Sequence, residues 1–452
     1  MLKKIIALVL SVLMLLSLVA CGGGGAEETN PPAQETNAPA VEGGEQEEAG
    51  GEDITLSYIW WGNQVRAERT TKVTEMFTEE NPNIKFALEY FDGGSYFEVL
   101  TTRSVGEMLP NVLQMEWDYT PLYAGNGTII SMEPYIEAGI IDLSKCDPNT
   151  VDAGRVDGEV YALSLGNNAR CLFYNANLLE ELGLSISMEP TWEEFCELGK
   201  TIYEKTGIKT SFCWQIAVAE MPRSLARAAG YELYNEDGTA LGFDDPEILA
   251  RGYDLLAEAG KAEWVVDPAE YSGVTGTEHE FLALGTAWNA FLTSNMGVAL
   301  ASAMSEDVSL GICMQPSFAD RVRQPWYVQP SQLISMGNAG TEAEKEASAA
   351  YINYMINSAD ANLVLLNERG VSMNSEVCAG LESSLDDVSK LIANYVTYVA
   401  ENGSPAPNLD PSAAREIGEL DKNLRQMVLF GQMTGAEAAA DFMAQANAIL
   451  AG

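Results

Sequence analysis

The side chains able to do covalent chemistry in this sequence are few and poorly assorted for it. The 452 residues include a single histidine, His279, set between Glu278 and Glu280. That setting suits a solvent-facing imidazole rather than a metal ligand or the oriented base of a Ser-His-Asp arrangement. No phosphate-cradling glycine motif follows a strand-like segment. Cysteines 146, 171, 196, 213, 313 and 378 contain no Cys-x-x-Cys pair and no finger-like spacing; several sit in apolar contexts and read as free buried thiols, with a disulfide of undetermined connectivity as the alternative. The 66 acidic residues make neighbouring carboxylates unavoidable. A glycosidase would hold two of them about 5 to 10 Å apart across a scissile bond, yet nothing in the chain selects such a pair. Neither catalysis nor a metal or cofactor is required by these residues.

Non-covalent recognition is better provided for. A ring can cover the apolar C–H face of a hydroxyl-rich guest while Asp, Asn or Arg pairs with its hydroxyls. In open α/β sheets such guests lie beyond the carboxyl ends of strands. That rule selects Trp61, Asn63 and Arg66 after the first strand-like segment. After the third it selects Trp117 and Asp118, with Glu116 behind them. Each has a structural competitor: Trp60 belongs to the strand core, Arg66 can decorate a helix start, and Asp118 can cap the next helix. Trp214, Trp288 and Trp326 join the candidates because they lie in loop-like contexts where a large exposed ring needs a reason. Trp192, at the start of a capped helix, reads as packing, as do Met304, Met314 and Met336.

The elements that must position these residues alternate. Ile54 to Trp60 has a strand pattern, and Gly62-Asn63 breaks it before a helix with Val65, Val73, Met76 and Phe77 on one face. That helix ends near Asn81-Pro82, and Ile84, Phe86, Leu88 and Tyr90 then mark a second strand. A helix from Tyr96 to Ser104 and a strand from Asn111 to Glu116 complete a βαβαβ run, the signature of a parallel sheet. Asp157-Gly158 signals a tight hairpin. Thr191 with Glu194, Thr341 with Glu344, and Thr434 with Glu437 form three capping boxes before amphipathic stretches. The fold class is α/β, richer in helix towards its end.

The N-terminus is of another kind. Lys3 and Lys4 precede an apolar run from Ile5 to Val19, interrupted only by Ser11 and Ser17, which reads as a cleaved export signal over residues 1–20. Leu18-Val19-Ala20-Cys21 resembles the lipobox of bacterial lipoproteins. The resemblance implies a lipidated Cys21, palmitate included, and a tether to the cell membrane facing outside the cytoplasm. Residues 21–53 hold one Val, no aromatic and no Lys or Arg, and read as a flexible acidic Gly/Glu/Pro linker. The remaining chain is long enough for two domains and shows no second apolar span. A formal net charge of −41 repels phosphate backbones and argues against nucleic acid as a partner.

Three blocks carry a family resemblance covering nearly all of the globular body. The first is Trp60 to Arg66 with Phe77 to Ile84. The second runs from Val156 to Ala162 through Leu172 to Asn175 and Leu178 to Gly183, ending at Pro190 to Phe195. The third is Glu346 to Met355 with Arg369 to Asn374. Together they resemble the extracellular solute-binding proteins of family 1, the sugar-binding lipoproteins of ABC importers. Ala162, Ser164 and Ser372 depart from the family pattern, where Gly, Pro and Pro are usual.

The resemblance implies a periplasmic-binding-protein-like type II fold, two α/β lobes with a hinge and an interlobe cleft. One lobe would take 54–166 and 285–336, the other 167–284 and 337–452. It places Asn168 and Arg170 at the cleft floor, with Tyr174 as a weaker candidate or as core. It further implies a monomeric, non-enzymatic receptor for a mono- or oligosaccharide, delivering it to the transmembrane subunits of an ABC permease. The other readings are a surface glycoside hydrolase, or the same fold holding a peptide or another polar solute.

Overall fold

The computed structural model describes residues 53–452, apart from Asn63, Gly94, 107–108, 213–219, Thr275 and Leu409. The expected signal, linker and Cys21 therefore lie outside the described residues, as do the candidates Asn63 and Trp214.

Eleven strands are named here: β1 Ile54–Trp61, β2 Ile84–Phe91, β3 Val112–Met115, β4 Arg155–Val156, β5 Glu159–Val160, β6 Leu163–Ser164, β7 Asn167–Asn175, β8 Asn289–Thr293, β9 Leu310–Cys313, β10 Val328–Pro330 and β11 Leu333–Met336. The first sheet has the order β2-β1-β3-β11-β6. β1 runs parallel to β2, from Ile54 opposite Ile84 to Trp61 opposite Phe91, and parallel to β3. β11 lies antiparallel between β3 and β6.

Both faces of β1 are covered, which explains its departure from simple alternation. Leu56, Tyr58 and Trp60 enter a core with Val73 and Phe77 of the helix Gln64–Glu80 and Tyr351 and Ile352 of the helix Glu342–Asn357. Ile59 points the other way, towards Tyr96 and Leu100 of the helix Tyr96–Val105. Leu56, Tyr58 and Ile59 are fully buried, each removal from water contributing roughly 2 kcal/mol.

The second sheet is built on β7, which pairs antiparallel with β10, β8 and β9. Cys171 and Phe173 face Ile392, Tyr395 and Val396 of the helix Asp387–Asn402. Leu172 faces Phe195 and Ile202 of the helix Trp192–Thr206. Beyond it, the helices Glu220–Ala228, Glu247–Ala259, Ala414–Leu429 and Gly435–Ala451 share a core containing Leu225, Tyr253, Leu424 and Phe442. All three capping boxes form as expected. Asp157 and Gly158 take φ of 51° and 88° between β4 and β5, the positive pair that a two-residue hairpin turn needs.

Two extended segments belong to both sheets. The chain leaves β6 for β7 through Leu165-Gly166 and returns from β10 to β11 through Ser331-Gln332. The crossings are hydrogen-bonded to each other: Leu165 N–H donates to Gln332 O at 2.8 Å, and Ser331 N–H to Gly166 O at 2.8 Å. A third segment joins them where Asn167 and Val371 exchange backbone hydrogen bonds of 2.6 and 2.9 Å. The packing there leaves no room for side chains. A Cβ on Gly166 would lie 2.4 Å from Arg369 O, and one on Gly370, at φ +108°, 2.7 Å from Asn167 O.

The observed membership of the sheets differs from the expected partition. Within 285–336 only β11 joins the first sheet, because β8, β9 and β10 pair with β7. Within 337–452, the helices Glu342–Asn357 and Ala359–Leu365 pack on β1 and on Gln64–Glu80. Long-range antiparallel pairing decides these memberships, and local periodicity does not encode it.

Candidate functional site

At the carboxyl edge of the first sheet, the ends of β1 and β3 and the start of the helix after β2 bring a run of rings together. Trp61 lies 4.9 Å from Tyr96 and 5.5 Å from Phe97, centroid to centroid. Phe97 stacks on Tyr119 at 4.1 Å and 20°. Trp60, one residue earlier, is core as its strand position requires, with 1% exposure. Trp117 is half-buried, and its indole N–H, shielded from solvent, has no hydrogen-bond partner.

Glu116 and Asp118 flank that indole and are exposed. Neither carboxylate makes a hydrogen bond or ion pair among the described residues, and neither caps the helical turn beside it. Both are nonetheless crowded by surrounding protein, as side chains on a cleft wall are. For Asp118, loss of hydration pushes the carboxyl up, repulsion from Asp410 adds to this, and Arg223 pulls back. For Glu116, loss of hydration and then Asp118 act in the same upward direction.

Those causes identify the opposing wall. Arg223 grips Asp410 through Nη2, at 2.7 Å to Oδ1 and 2.6 Å to Oδ2. The two side chains are 9% and 27% exposed. Burial opposes the charge on Arg223, but Tyr327 and Asp410 more than restore it and hold its pKa above the usual value. Arg170, from β7, donates to Glu220 at 3.3 Å and to Thr293 Oγ1 at 3.1 Å, while its Nε–H is buried without a partner. Beneath lies Tyr327, whose hydroxyl burial pushes up, Glu220 pushing in the same direction. A cavity of about 150 Å³ lined by Arg223, Tyr234 and Asn408 opens beside the Arg223–Asp410 pair.

The expected site residues divide accordingly. Trp61, Trp117 and Asp118 lie at the strand ends of one wall, and Arg170 belongs to the other. Arg66 instead donates to Glu368 at 2.8 Å and to the Trp61 carbonyl at 3.0 Å, so its guanidinium fixes the backbone beneath Trp61. Asn168 is 4% exposed at the crossing, opposite Gln329, with its Oδ1 unpartnered.

Trp288 and Trp326 require correction. Trp288 is fully buried against Phe195 and donates its N–H to Thr210 Oγ1 at 2.8 Å. Trp326 is 3% exposed and donates to Gln315 O at 2.7 Å. A ring enclosed on all sides with its donor engaged offers a guest no face.

Trp192 packs as expected, 5.4 Å from Phe212. His279 is a surface residue beside Glu278. The described cysteines are free thiols. Phe97, Tyr119, Glu220, Arg223, Tyr327 and Asp410 were not among the sequence candidates. Extending the strand-end rule by one helical turn finds the first two; nothing local marks the others.

Such an arrangement can stack, donate and accept, and it can close, because both walls hang from three hydrogen-bonded crossings. Among the described residues it sets no nucleophile beside a base. No group of His, Cys, Asp and Glu suited to a metal occurs among the described residues.

Comparison with known proteins gives the following. The model of the bacterial extracellular solute-binding protein family matches residues 62–362. The lactose-binding protein of Rhizobium radiobacter is 25% identical over 190 residues, 40% of this chain and 43% of that protein. The arabinooligosaccharide-binding protein of Halalkalibacterium halodurans is 28% identical over 102 residues, 22% of this chain and 23% of that one. The chain thus spans less than half the length of either relative. An extracellular solute-binding protein of family 1 from Alicyclobacillus acidocaldarius superposes with a TM-score of 0.75 at 23% identity, covering 89% of this chain and 100% of its own. The fold is therefore the type II periplasmic-binding-protein-like one, two α/β lobes with a hinge.

Proposed function

The chain belongs to the bacterial extracellular solute-binding proteins, and on that premise we propose that it captures a mono- or oligosaccharide between its lobes and hands it to an ABC importer permease. The observation that carries this reading is the pairing of two unlike walls. Trp61, Phe97 and Tyr119 form an aromatic surface, with Trp117 packed against the same core, and within electrostatic reach of Asp118 stand Arg223 and Asp410, with the Arg170–Glu220 pair on their wall. A pyranose presents an apolar face to the first and hydroxyls to the second. The sugar-binding names of the two relatives agree with it. In this reading Cys21 carries the lipid that holds a monomeric receptor at the membrane, and the hinge closes the lobes over the guest.

The affinity suited to capture and release is about micromolar, near −8 kcal/mol. The test is a set of thermal melts with oligosaccharides and, separately, peptides, combined with product analysis. A melting shift with a sugar, none with peptides and no cleavage is the expected result. Hydrolysis abolished by E116Q or D118N would replace the receptor with a glycosidase. A shift with peptides alone would replace the sugar with a peptide.

A further inference from the structure

Resting on the saccharide reading, we infer that the cleft is a charge filter: it accepts neutral saccharides and rejects uronates, with Glu116 and Asp118 as the filter. The cations and anions of the site are unequally committed. Both arginines of the second wall already face protein carboxylates, Arg170 with Glu220 at 3.3 Å and Arg223 with Asp410 at 2.6 Å. The two acids of the first wall make no ion pair or side-chain hydrogen bond among the described residues, and Trp117, whose indole N–H also lacks a partner, stands between them in the chain.

Hydroxyls complete this pattern and carboxylates do not. An ionised Glu or Asp accepts hydrogen bonds and donates none. A sugar hydroxyl can donate to Glu116 or Asp118, which are exposed. A uronate carboxylate can only accept, so beside Glu116 and Asp118 it meets two like charges. Closure of the lobes removes water and strengthens that repulsion as the local dielectric falls.

Among the described residues of the second wall, a uronate could find a cation by taking Arg223 from Asp410 or Arg170 from Glu220, and either exchange unpairs a protein carboxylate. Taking Arg223 leaves Asp410 unpaired within electrostatic reach of Asp118. The field of the whole chain acts in the same sense, since its net charge of −41 slows the approach of any anion.

The experiment uses calorimetry on the full chain with matched pairs of probes: galactobiose against digalacturonate, cellobiose against cellobiouronate, and lactose and arabinotriose as further neutral sugars. A neutral sugar should bind and its uronate counterpart bind at least tenfold more weakly. The ratio should narrow at least threefold in the E116Q/D118N double variant, or in the single variants if the double one unfolds. Equal or tighter uronate binding overturns the filter and leaves the saccharide reading standing, and so does an unchanged ratio in a folded variant. Binding of neither set overturns the saccharide reading itself.

Discussion

The two walls of the cleft are built on opposite principles. On the first, rings lean on rings, Tyr119 remains 38% exposed and two carboxylates stand without partners. On the second, charges are joined in pairs before any guest arrives, and the Arg223 side chain is only 9% exposed. A ring surface suits any guest with a C–H face and tolerates variation in sugar and length. A desolvated ion pair contributes little net stability, and its value lies in presenting polar atoms at fixed positions. In the proposed reading, tolerance resides on one side and orientation on the other.

That contrast can be broken most forcefully at Arg223. Arg223→Ala leaves Asp410 without its cation and should destabilise the fold by about 3 kcal/mol, the lower end for a buried pair because Asp410 is partly exposed. Denaturant unfolding checks this, and an unchanged midpoint would mean that the second wall is not preorganised. Next is the hinge. Gly370→Ala places a Cβ against Asn167 O at a φ of +108° and should cost about 2 kcal/mol. Its scattering profile with and without ligand should show impaired closure, which separates the walls' coupling from their chemistry.

Tyr119→Ala removes an exposed ring from the tolerant wall. Affinity should fall about tenfold, or 1.4 kcal/mol, while stability stays within about 0.5 kcal/mol. A large loss of stability instead would make Tyr119 a structural residue. The smallest effect is that of pH. Glu116 and Asp118 both have raised pKa values, so they take up protons before ordinary carboxylates as the pH falls from 7 towards 4. The native state then binds more protons than the unfolded chain. The penalty for keeping these groups ionised is absent below the unfolded carboxylate range and complete above the raised native values. Discrimination between neutral sugar and uronate should relax a few-fold on acidification, as affinity ratios at pH 7 and pH 4.5 would show.

The elements whose signals are local were legible in the sequence. The alternation in β1 and β2, the Asp157-Gly158 turn and the three threonine caps each depend on residues within a few positions of one another, and each forms. Of the first wall, Trp61, Trp117 and Asp118 could be named from the sequence because they stand at or just past strand ends. The second wall was not legible in this way. Arg223 meets Asp410 across 187 positions, and no periodicity links them. Trp288 and Trp326 were misread because tertiary packing, which their loop-like neighbours do not signal, encloses both rings and brings Thr210 Oγ1 and Gln315 O to their N–H groups.

The place of β11, inserted between β3 and β6, governs how the molecule can be made. Neither neighbour has its final partner until residues 333–336 pair with it, so both keep open strand edges until a segment about 170 residues beyond β6 arrives. Open edges of this kind recruit foreign strands, and distant pairings form slowly. Until that late strand slots in, the incomplete sheet carries open edges, and a chain cut short before residue 333 is an aggregation hazard.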